Sequence, residues 1–187
     1  GLYTGGTVYF AESLDTFAAN LQYAQPTIFL GVPRIWTKFK QGILAKMPQK
    51  RLNILLKIPL LNGLIKKKIK QGLGLDKTRL LLTGAAPTPD SIFRWFEQLD
   101  LYIKEAYGMT ENCAYSHFCG IHNERKAGFI GAPMPKVDVK LSDRKEILVK
   151  SDATMIGYYK EPDMTKEVIT EDGYLRTGDE GEIDNEG

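Results

Sequence analysis

Short apolar segments alternate with helix-like segments along the first part of the chain, and this alternation restricts the fold more than any other feature. Thr27–Leu30 is a continuous apolar run of the kind found in buried parallel strands. Apolar residues at helical spacing precede it from Leu14 to Leu21 and follow it from Ile35 to Ile43. Since alternating strands and helices are typical of a parallel sheet with flanking helices, we predict an α/β fold.

Capping residues and prolines mark the ends of the predicted helices. Ser13 is a predicted N-cap, Pro26 ends the first helix, and Pro33 suits the first turn of the second. Residues 52–74 are predicted to be helical, with an interruption near Pro59. The apolar face of this segment is predicted to consist of Leu61, Leu64, Ile65 and Ile69.

A cluster of lysines lies on the same predicted helix. Lys66, Lys67 and Lys70 fall outside its apolar face, and a solvated charged surface is one interpretation. The other is peripheral contact with an anionic membrane, near which each Lys contributes about 1 kcal/mol. Both interpretations stay open.

The later residues change in pattern to short β-type segments. Val137–Leu141 alternates with period two, and Ile147–Lys150 is another short β run. We therefore predict two parts. Residues 1–122 form a mostly parallel sheet with flanking helices, and residues 123–187 form a small antiparallel β subdomain resembling a barrel.

Charge and cysteine content exclude several classes of protein. The formal net charge of +2 lacks the basic excess of a nucleic-acid-binding protein. Two cysteines do not make a disulfide framework, so we expect a reduced, cytoplasmic protein. No apolar run is long enough to span a bilayer. Because Gly1 takes the place of an initiator Met, we expect both ends to be cuts within a longer protein.

Two segments that follow predicted strands combine residue types that bind nucleotides. The small residues of Gly84–Pro87 would let a flat ligand lie against the backbone, although such a loop is also typical of a tight turn. In the segment from Glu105 to Glu111, Tyr107 could stack on a base, and Thr110 could donate to a phosphate. Glu111 could hold Mg²⁺, but the spacing equally allows an ordinary helix start. Ligands bind at this end of parallel strands.

A third segment, Tyr174–Asp179, ends in a carboxylate after a glycine. Asp179 could accept hydrogen bonds from two vicinal hydroxyls. For an isolated match, an Asp in a turn is the commoner case.

Together and in this order, the three segments resemble the adenylate-forming superfamily of acyl-CoA synthetases, peptide-synthetase adenylation domains and firefly-type luciferases. The resemblance covers nearly all of the chain. It implies that Tyr107 stacks on adenine, that Glu105 accepts from the adenine amino group, and that Asp179 binds the ribose hydroxyls. It implies catalytic roles for Thr110 and Glu111, with the metal at Glu111. The implied nucleotide-binding residues are Gly84, Ala85, Ala86, Pro87, Glu105, Tyr107, Gly108, Met109, Thr110 and Asp179.

Residues 10–13, 25–27 and 32–36 resemble long-chain acyl-CoA synthetases in particular, and Gly157-Tyr158-Tyr159 resembles a further signature of the superfamily. Thr37 stands where this subfamily often has Glu, and Lys145 and Ser151-Asp152 replace common glycines. The resemblance implies a ligase that uses a fatty acid, ATP, Mg²⁺ and CoA.

Two kinds of alternative remain. The protein could be another adenylate-forming enzyme, such as a fatty acyl-AMP ligase or an aryl or amino-acid activating domain, or it could bind nucleotide without catalysis. No segment matches the superfamily's phosphate loop or the C-terminal domain with its catalytic Lys. We therefore expect the isolated chain to be inactive.

Cys113, His117, Cys119 and His122 form a separate cluster within ten residues. On a continuous strand the first three would share a face, as zinc ligands can. Their spacing matches none of the usual paired zinc patterns. Free buried thiols and ordinary histidines are the favoured interpretation.

Overall fold

The computed structural model describes residues 5–13, 15–119 and 125–185, and its contacts divide the chain into two units. The first unit consists of Gly1–Leu82 and Thr88–Ile103, and the second of Thr83–Pro87 and Lys104–Gly187. All the residues predicted to bind nucleotide or metal therefore belong to the second unit.

In the residues that the structure describes, the first unit combines a pair of parallel strands with five helices. Ile28 and Leu30 on the first strand pair in parallel register with Leu80 and Leu82 on the second. The helices cover an apolar core. The elements are α1 (Phe17–Ala24), β1 (Ile28–Leu30), α2 (Pro33–Lys46), α3 (Gln49–Leu56), α4 (Pro59–Leu73), β2 (Leu80–Thr83) and α5 (Asp90–Glu97).

The core of the first unit combines aliphatic side chains with packed aromatic rings. Trp36 is fully buried and packs edge-on against Phe29 and Phe96, with ring centroids 5.4 and 5.2 Å away. Its indole Nε1 donates to the carbonyl oxygen of Gly31 at 2.8 Å. Burying an indole N–H without an acceptor would cost free energy, and this hydrogen bond avoids that cost for Trp36.

Pro33 lies in the first turn of α2 as predicted, and the predicted interruption near Pro59 is the start of α4, whereas the predicted N-cap at Ser13 is wrong. Both α2 and α4 begin at their prolines, Pro33 and Pro59. Helix α1 begins only at Phe17, after Thr16. The reason is that the backbone N–H of Ser13 and that of Thr16 each donate to the other residue's hydroxyl at 3.1 Å, which forms a turn ahead of the helix.

The predicted apolar face of α4 is correct for only half of its residues. Ile65 and Ile69 pack against the core of the first unit, but Leu61 and Leu64 are exposed by 38% and 57%. Successive residues are about 100° apart around a helix, so Leu64 lies well away from the direction of Ile65. Within the residues that the structure describes, none of the helices is both long enough and apolar enough to cross a membrane.

The second unit is built mainly from short antiparallel strands. One group of three strands pairs antiparallel in chain order, and a second group does the same over a small core of Ile147, Val149 and Leu175. The elements are β3 (Ile103–Tyr107), a 3₁₀ helix (Thr110–Asn112), β4 (His117–Phe118), β5 (Ala132–Pro133), β6 (Asp138–Leu141), β7 (Glu146–Lys150), α6 (Pro162–Val168) and β8 (Leu175–Glu180).

The predicted α/β class, with an antiparallel β subdomain in the later residues, is confirmed. The predicted boundary between residues 122 and 123 lies outside the described residues and stays a prediction. The two compact units divide the chain elsewhere, because β4 and β5 on either side of that boundary pair with each other.

The hairpin between β6 and β7 places Lys145, which stands where a glycine was expected from the resemblance, in a left-handed turn. Lys145 has a φ of +61°, and its backbone N–H closes the turn by donating to the carbonyl oxygen of Ser142 at 2.8 Å. Glycine is favoured at such left-handed positions because it has no Cβ. The chain keeps this turn with a residue that is less suited to it.

Candidate functional site

The loop after β2 presents small residues at the surface of the second unit. Gly84 is buried, and a Cβ there would lie 2.7 Å from the carbonyl oxygen of Ala106, so a side chain does not fit. Ala85 has a φ of +65°, a strained left-handed conformation for a residue other than glycine. Ala85, Ala86 and Pro87 are exposed. The backbone of Gly84 therefore lies close against Ala106 of β3, and small exposed residues follow it.

The end of β3 leads through Gly108 and Met109 into the 3₁₀ helix. The backbone N–H of Met109 donates to Oδ1 of the buried Asn112 at 2.9 Å, and the Met109 carbonyl oxygen accepts from Ala114 at 2.8 Å. These bonds hold the short helix against the strand end. Thr110 is exposed at the start of this helix, where its hydroxyl is accessible to a ligand.

Tyr107 and Asp179 lie 72 residues apart in the sequence and meet in the structure. The Tyr107 hydroxyl donates to Oδ2 of Asp179 at 2.6 Å. Tyr107 is half-buried at the end of β3, where its ring lies beside His117 of β4 at a centroid distance of 5.7 Å. Burial and then the bond to Asp179 raise the pKa of Tyr107 to about 12, so the phenol stays protonated at neutral pH.

Asp179 is exposed on β8, directly after Gly178, which has a φ of +75°. Its backbone N–H donates to Oγ1 of Thr177 at 3.2 Å, and that hydroxyl in turn donates to the carbonyl oxygen of Ile147 at 2.8 Å. The turn at Gly178 is thereby tied to β7. Because Asp179 is exposed, its carboxylate is accessible to an external hydroxyl group.

Glu111 is held by residues 155–158, which overlap the Gly157-Tyr158-Tyr159 signature. The hydroxyl of Tyr158 donates to Oε1 of Glu111 at 2.8 Å, and the backbone N–H of Met155 donates to the Glu111 carbonyl oxygen at 2.7 Å. The bond to Glu111, more than burial, raises the pKa of Tyr158. Tyr158 is thus a site residue that the sequence analysis missed, although Gly157-Tyr158-Tyr159 was the signal that pointed to it.

The carboxylate of Glu111 suits a magnesium ion. Within the part of the chain that the structure describes, Oε1 accepts only the Tyr158 hydrogen bond and Oε2 accepts none. Carboxylate oxygens are the ligands that Mg²⁺ prefers, usually one or two of them together with substrate phosphates and water. One available oxygen from Glu111 fits that requirement.

Cys113, His117 and Cys119 do not lie on one continuous strand. Cys113 follows the 3₁₀ helix with a φ of +54°, and among residues 113–119 only His117 and Phe118 form a strand. His117 is buried, which lowers its pKa, and its Nδ1 shares a hydrogen bond of 2.9 Å with Ser116 Oγ. His122 lies outside the described residues. Among the residues described, no three His, Cys, Asp or Glu side chains are grouped to hold a metal.

Comparison with known proteins shows where this sequence pattern recurs. Residues 1–159 match the family described as "AMP-binding enzyme". The chain is similar to long chain acyl-CoA synthetase 3 of Arabidopsis thaliana, with 31% identity over 87% of this chain and 30% of the relative. It is also similar to the Drosophila melanogaster long-chain-fatty-acid–CoA ligase heimdall, with 30% identity over 100% of this chain and 32% of the relative.

A solved structure shows the same fold. It is the A domain of carboxylic acid reductase from Segniliparus rugosus in complex with AMP and a co-purified carboxylic acid. The TM-score is 0.69 at 25% identity, and the match covers 95% of this chain and 29% of that chain. The chain spans about a third of the length of the curated relatives that it matches.

Proposed function

We propose that this chain, which belongs to the AMP-binding enzyme family, forms the nucleotide-binding part of an ATP-dependent long-chain fatty acid–CoA ligase. One observation carries the proposal. Residues from segments far apart in the sequence converge within one unit, where Tyr107 contacts Asp179 and Tyr158 contacts Glu111. The names of the relatives support the acyl-CoA class.

The exposed loop and the residues at the end of β3 would bind the nucleoside. The small residues of Gly84–Pro87 and the ring of Tyr107 offer flat surfaces for adenine, and Glu105 would accept from its amino group. Asp179 has two carboxylate oxygens, which can accept from both ribose hydroxyls. Gly108 and Met109 would line the passage from the adenine to the phosphates.

Thr110 and Glu111 would act on the phosphates. The exposed hydroxyl of Thr110 would donate to a phosphate oxygen, and Glu111 would hold Mg²⁺ through a carboxylate oxygen. A bound Mg²⁺ would neutralise the negative charge that develops on the phosphate oxygens. Donors and ligands that are fixed before the reaction stabilise such charge without reorganisation.

The proposed reaction has two steps. A carboxylate oxygen of the fatty acid attacks the α-phosphorus of ATP, the bond from that phosphorus to pyrophosphate breaks, and an acyl-adenylate forms. The thiol of CoA then attacks the acyl carbon and loses its proton, and AMP leaves as the thioester forms. Tyr107 and Asp179 would hold the nucleotide in position for both steps.

Turnover by the full-length gene product tests this function. With ATP, Mg²⁺, CoA and palmitate, we expect AMP, pyrophosphate and palmitoyl-CoA in equal amounts. The isolated 187-residue chain should give no turnover above a heat-killed control, because groups that act as a unit retain little activity when separated.

Each alternative function has its own outcome in this assay. Acyl-adenylate without thioester would identify a fatty acyl-AMP ligase. Faster turnover of aryl acids or amino acids would identify another activating domain. Nucleotide binding without pyrophosphate release from any acid would identify a module without catalysis.

We also propose that the protein is cytoplasmic and that its first unit contacts anionic membranes peripherally. Between Asp15 and Asp76 the chain has no acidic residue and eleven Lys and Arg residues. Helix α4 exposes Leu60 and Leu64, by 87% and 57%, on the same helix as the exposed Lys67. Apolar side chains beside lysines favour the interface of an anionic bilayer.

Vesicle flotation tests the membrane contact. We expect the full-length gene product to float with vesicles that contain phosphatidylserine and to stay behind with pure phosphatidylcholine. Replacing Lys67 and Lys68 with Gln should weaken binding roughly 30-fold, since each Lys contributes about 1 kcal/mol. The matched control replaces the exposed Lys160 and Lys166 of the second unit in the same way. Equal binding to both kinds of vesicle would contradict the proposal.

A further inference from the structure

The segment of residues 155–158 holds Glu111 at two separate points. The backbone N–H of Met155 donates to the Glu111 carbonyl oxygen at 2.7 Å, and the hydroxyl of Tyr158 donates to the Glu111 carboxylate at 2.8 Å. The first bond places the backbone of Glu111 and the second restricts its side chain. A phenol that donates to an ionised carboxylate makes a charge-assisted hydrogen bond, which is stronger than one between neutral groups.

The segment is itself anchored to helix α6. The backbone N–H of Tyr158 donates to Oγ1 of Thr165 at 2.9 Å, and that hydroxyl donates to the carbonyl oxygen of Glu161 at 2.8 Å. Gly157 has a φ of +149°, and a Cβ there would lie 2.8 Å from Cγ2 of Thr165. The backbone at Tyr158 is therefore set by close contact with α6.

We propose that Tyr158 is a positioning residue that fixes one oxygen of the Glu111 carboxylate so that the other can bind the metal of a metal–nucleotide complex. The inference rests on the proposed function, because it gives Tyr158 a role toward the same metal. It adds a residue to the site, together with the anchor at Thr165.

The hydrogen-bond pattern of Glu111 supports this division between its two oxygens. In the described part of the chain, Tyr158 is the only group that donates to the carboxylate, and Oε2 accepts no hydrogen bond. Groups that orient a metal ligand commonly change metal affinity or activity by about 10–100-fold when they are removed. A free carboxylate would lose part of its affinity to side-chain entropy, because its rotamers would no longer be restricted.

Direct metal binding to Tyr158→Phe tests the proposal. The probe is Mn²⁺, followed by electron paramagnetic resonance in the full-length gene product, first alone and then with saturating ATP. We expect the affinity for Mn²⁺ to fall about tenfold in Tyr158→Phe. The affinity for ATP in the presence of a chelator should stay within about twofold of wild type, because the aromatic ring is retained.

Two further variants separate positioning from folding. Tyr174→Phe is the matched control, since its hydroxyl also donates to a carboxylate, that of Asp138, outside the proposed site. It should bind Mn²⁺ like wild type. Thr165→Val removes the anchor of Tyr158 while keeping the shape of the side chain, and it should weaken Mn²⁺ binding in the same direction as Tyr158→Phe. It therefore tests the inference even if Tyr158→Phe does not fold.

The outcomes distinguish this inference from the proposed function. Unchanged Mn²⁺ affinity in folded Tyr158→Phe, or no Mn²⁺ binding by the wild type, would overturn the positioning role. A wild-type protein that binds Mn²⁺ more tightly than Tyr158→Phe, but forms no acyl-adenylate, would support the positioning role and refute the proposed reaction.

Discussion

Replacing Glu111 with Gln is expected to slow acyl-adenylate formation by the full-length gene product about 10²–10³-fold, while the affinity for ATP changes little. The amide keeps the size of the side chain and can still accept the hydrogen bond from Tyr158. It loses the charge that would hold Mg²⁺. A charge-stabilising group near the reacting phosphate contributes roughly 2.7–4 kcal/mol, by analogy with oxyanion-stabilising donors.

The measurement is the rate of acyl-adenylate formation at saturating ATP over a range of Mg²⁺ concentrations. Glu167→Gln is the control, because it makes the same chemical change at an exposed position on α6. Only Glu111→Gln should alter the dependence on Mg²⁺. A Glu111→Gln enzyme with the wild-type rate at every Mg²⁺ concentration would exclude Glu111 from the site.

Asp179→Ala is expected to weaken ATP binding by more than tenfold and to remove most of the preference for ATP over 2′-deoxy-ATP. A hydrogen bond to a charged group contributes about 1.5–3 kcal/mol, and the ribose has two hydroxyls to donate. Oδ2 of Asp179 accepts from the Tyr107 hydroxyl, so a ribose hydroxyl would share that oxygen or replace that bond. If Asp179 were only a turn residue, the substitution would change stability by within about 0.5 kcal/mol and leave binding alone.

Titration of ATP and of 2′-deoxy-ATP into both proteins gives the two affinities. Asp163→Ala is the control, because Asp163 is exposed on α6 and its only ion pair to a described residue is a weak one of 3.9 Å with Lys166. The pKa of Tyr107 gives a second measurement. It should fall in Asp179→Ala, because the Tyr107 hydroxyl loses the carboxylate to which it donates. Wild-type ATP affinity in a folded Asp179→Ala protein would refute the ribose role.

Local pattern was sufficient to recognise the family and the kinds of element. The alternation of apolar runs with helical spacing predicted the α/β class, Pro33 marked a helix start correctly, and the interruption predicted near Pro59 separates α3 from α4. The matches to the AMP-binding enzyme family and to fatty acid–CoA ligases confirm the predicted resemblance. These features are readable because hydrophobic periodicity and backbone restrictions act within a few residues.

The sequence pattern was less reliable for the exact start of a helix and for the face that a helix buries. Ser13 was predicted to cap a helix, but its reciprocal hydrogen bonds with Thr16 form a turn ahead of the helix instead. Leu64 was predicted to face the core, but it is exposed on α4. Apolar composition alone does not define which direction around a helix meets the core, because that depends on the elements packed against it.

The sequence by itself determined which residue types are present for nucleotide chemistry and in what order: a loop of small residues, the segment from Tyr107 to Glu111, and a carboxylate after a glycine. Only the tertiary structure decided their partners. Tyr158 contacts Glu111 across 47 residues, and Tyr107 contacts Asp179 across 72. Periodicity and turn chemistry describe only a residue's own segment. A hydrogen bond between distant segments depends on strand pairing and on the turns that bring the two atoms together. It also depends on close contacts such as that of Gly157 with Thr165.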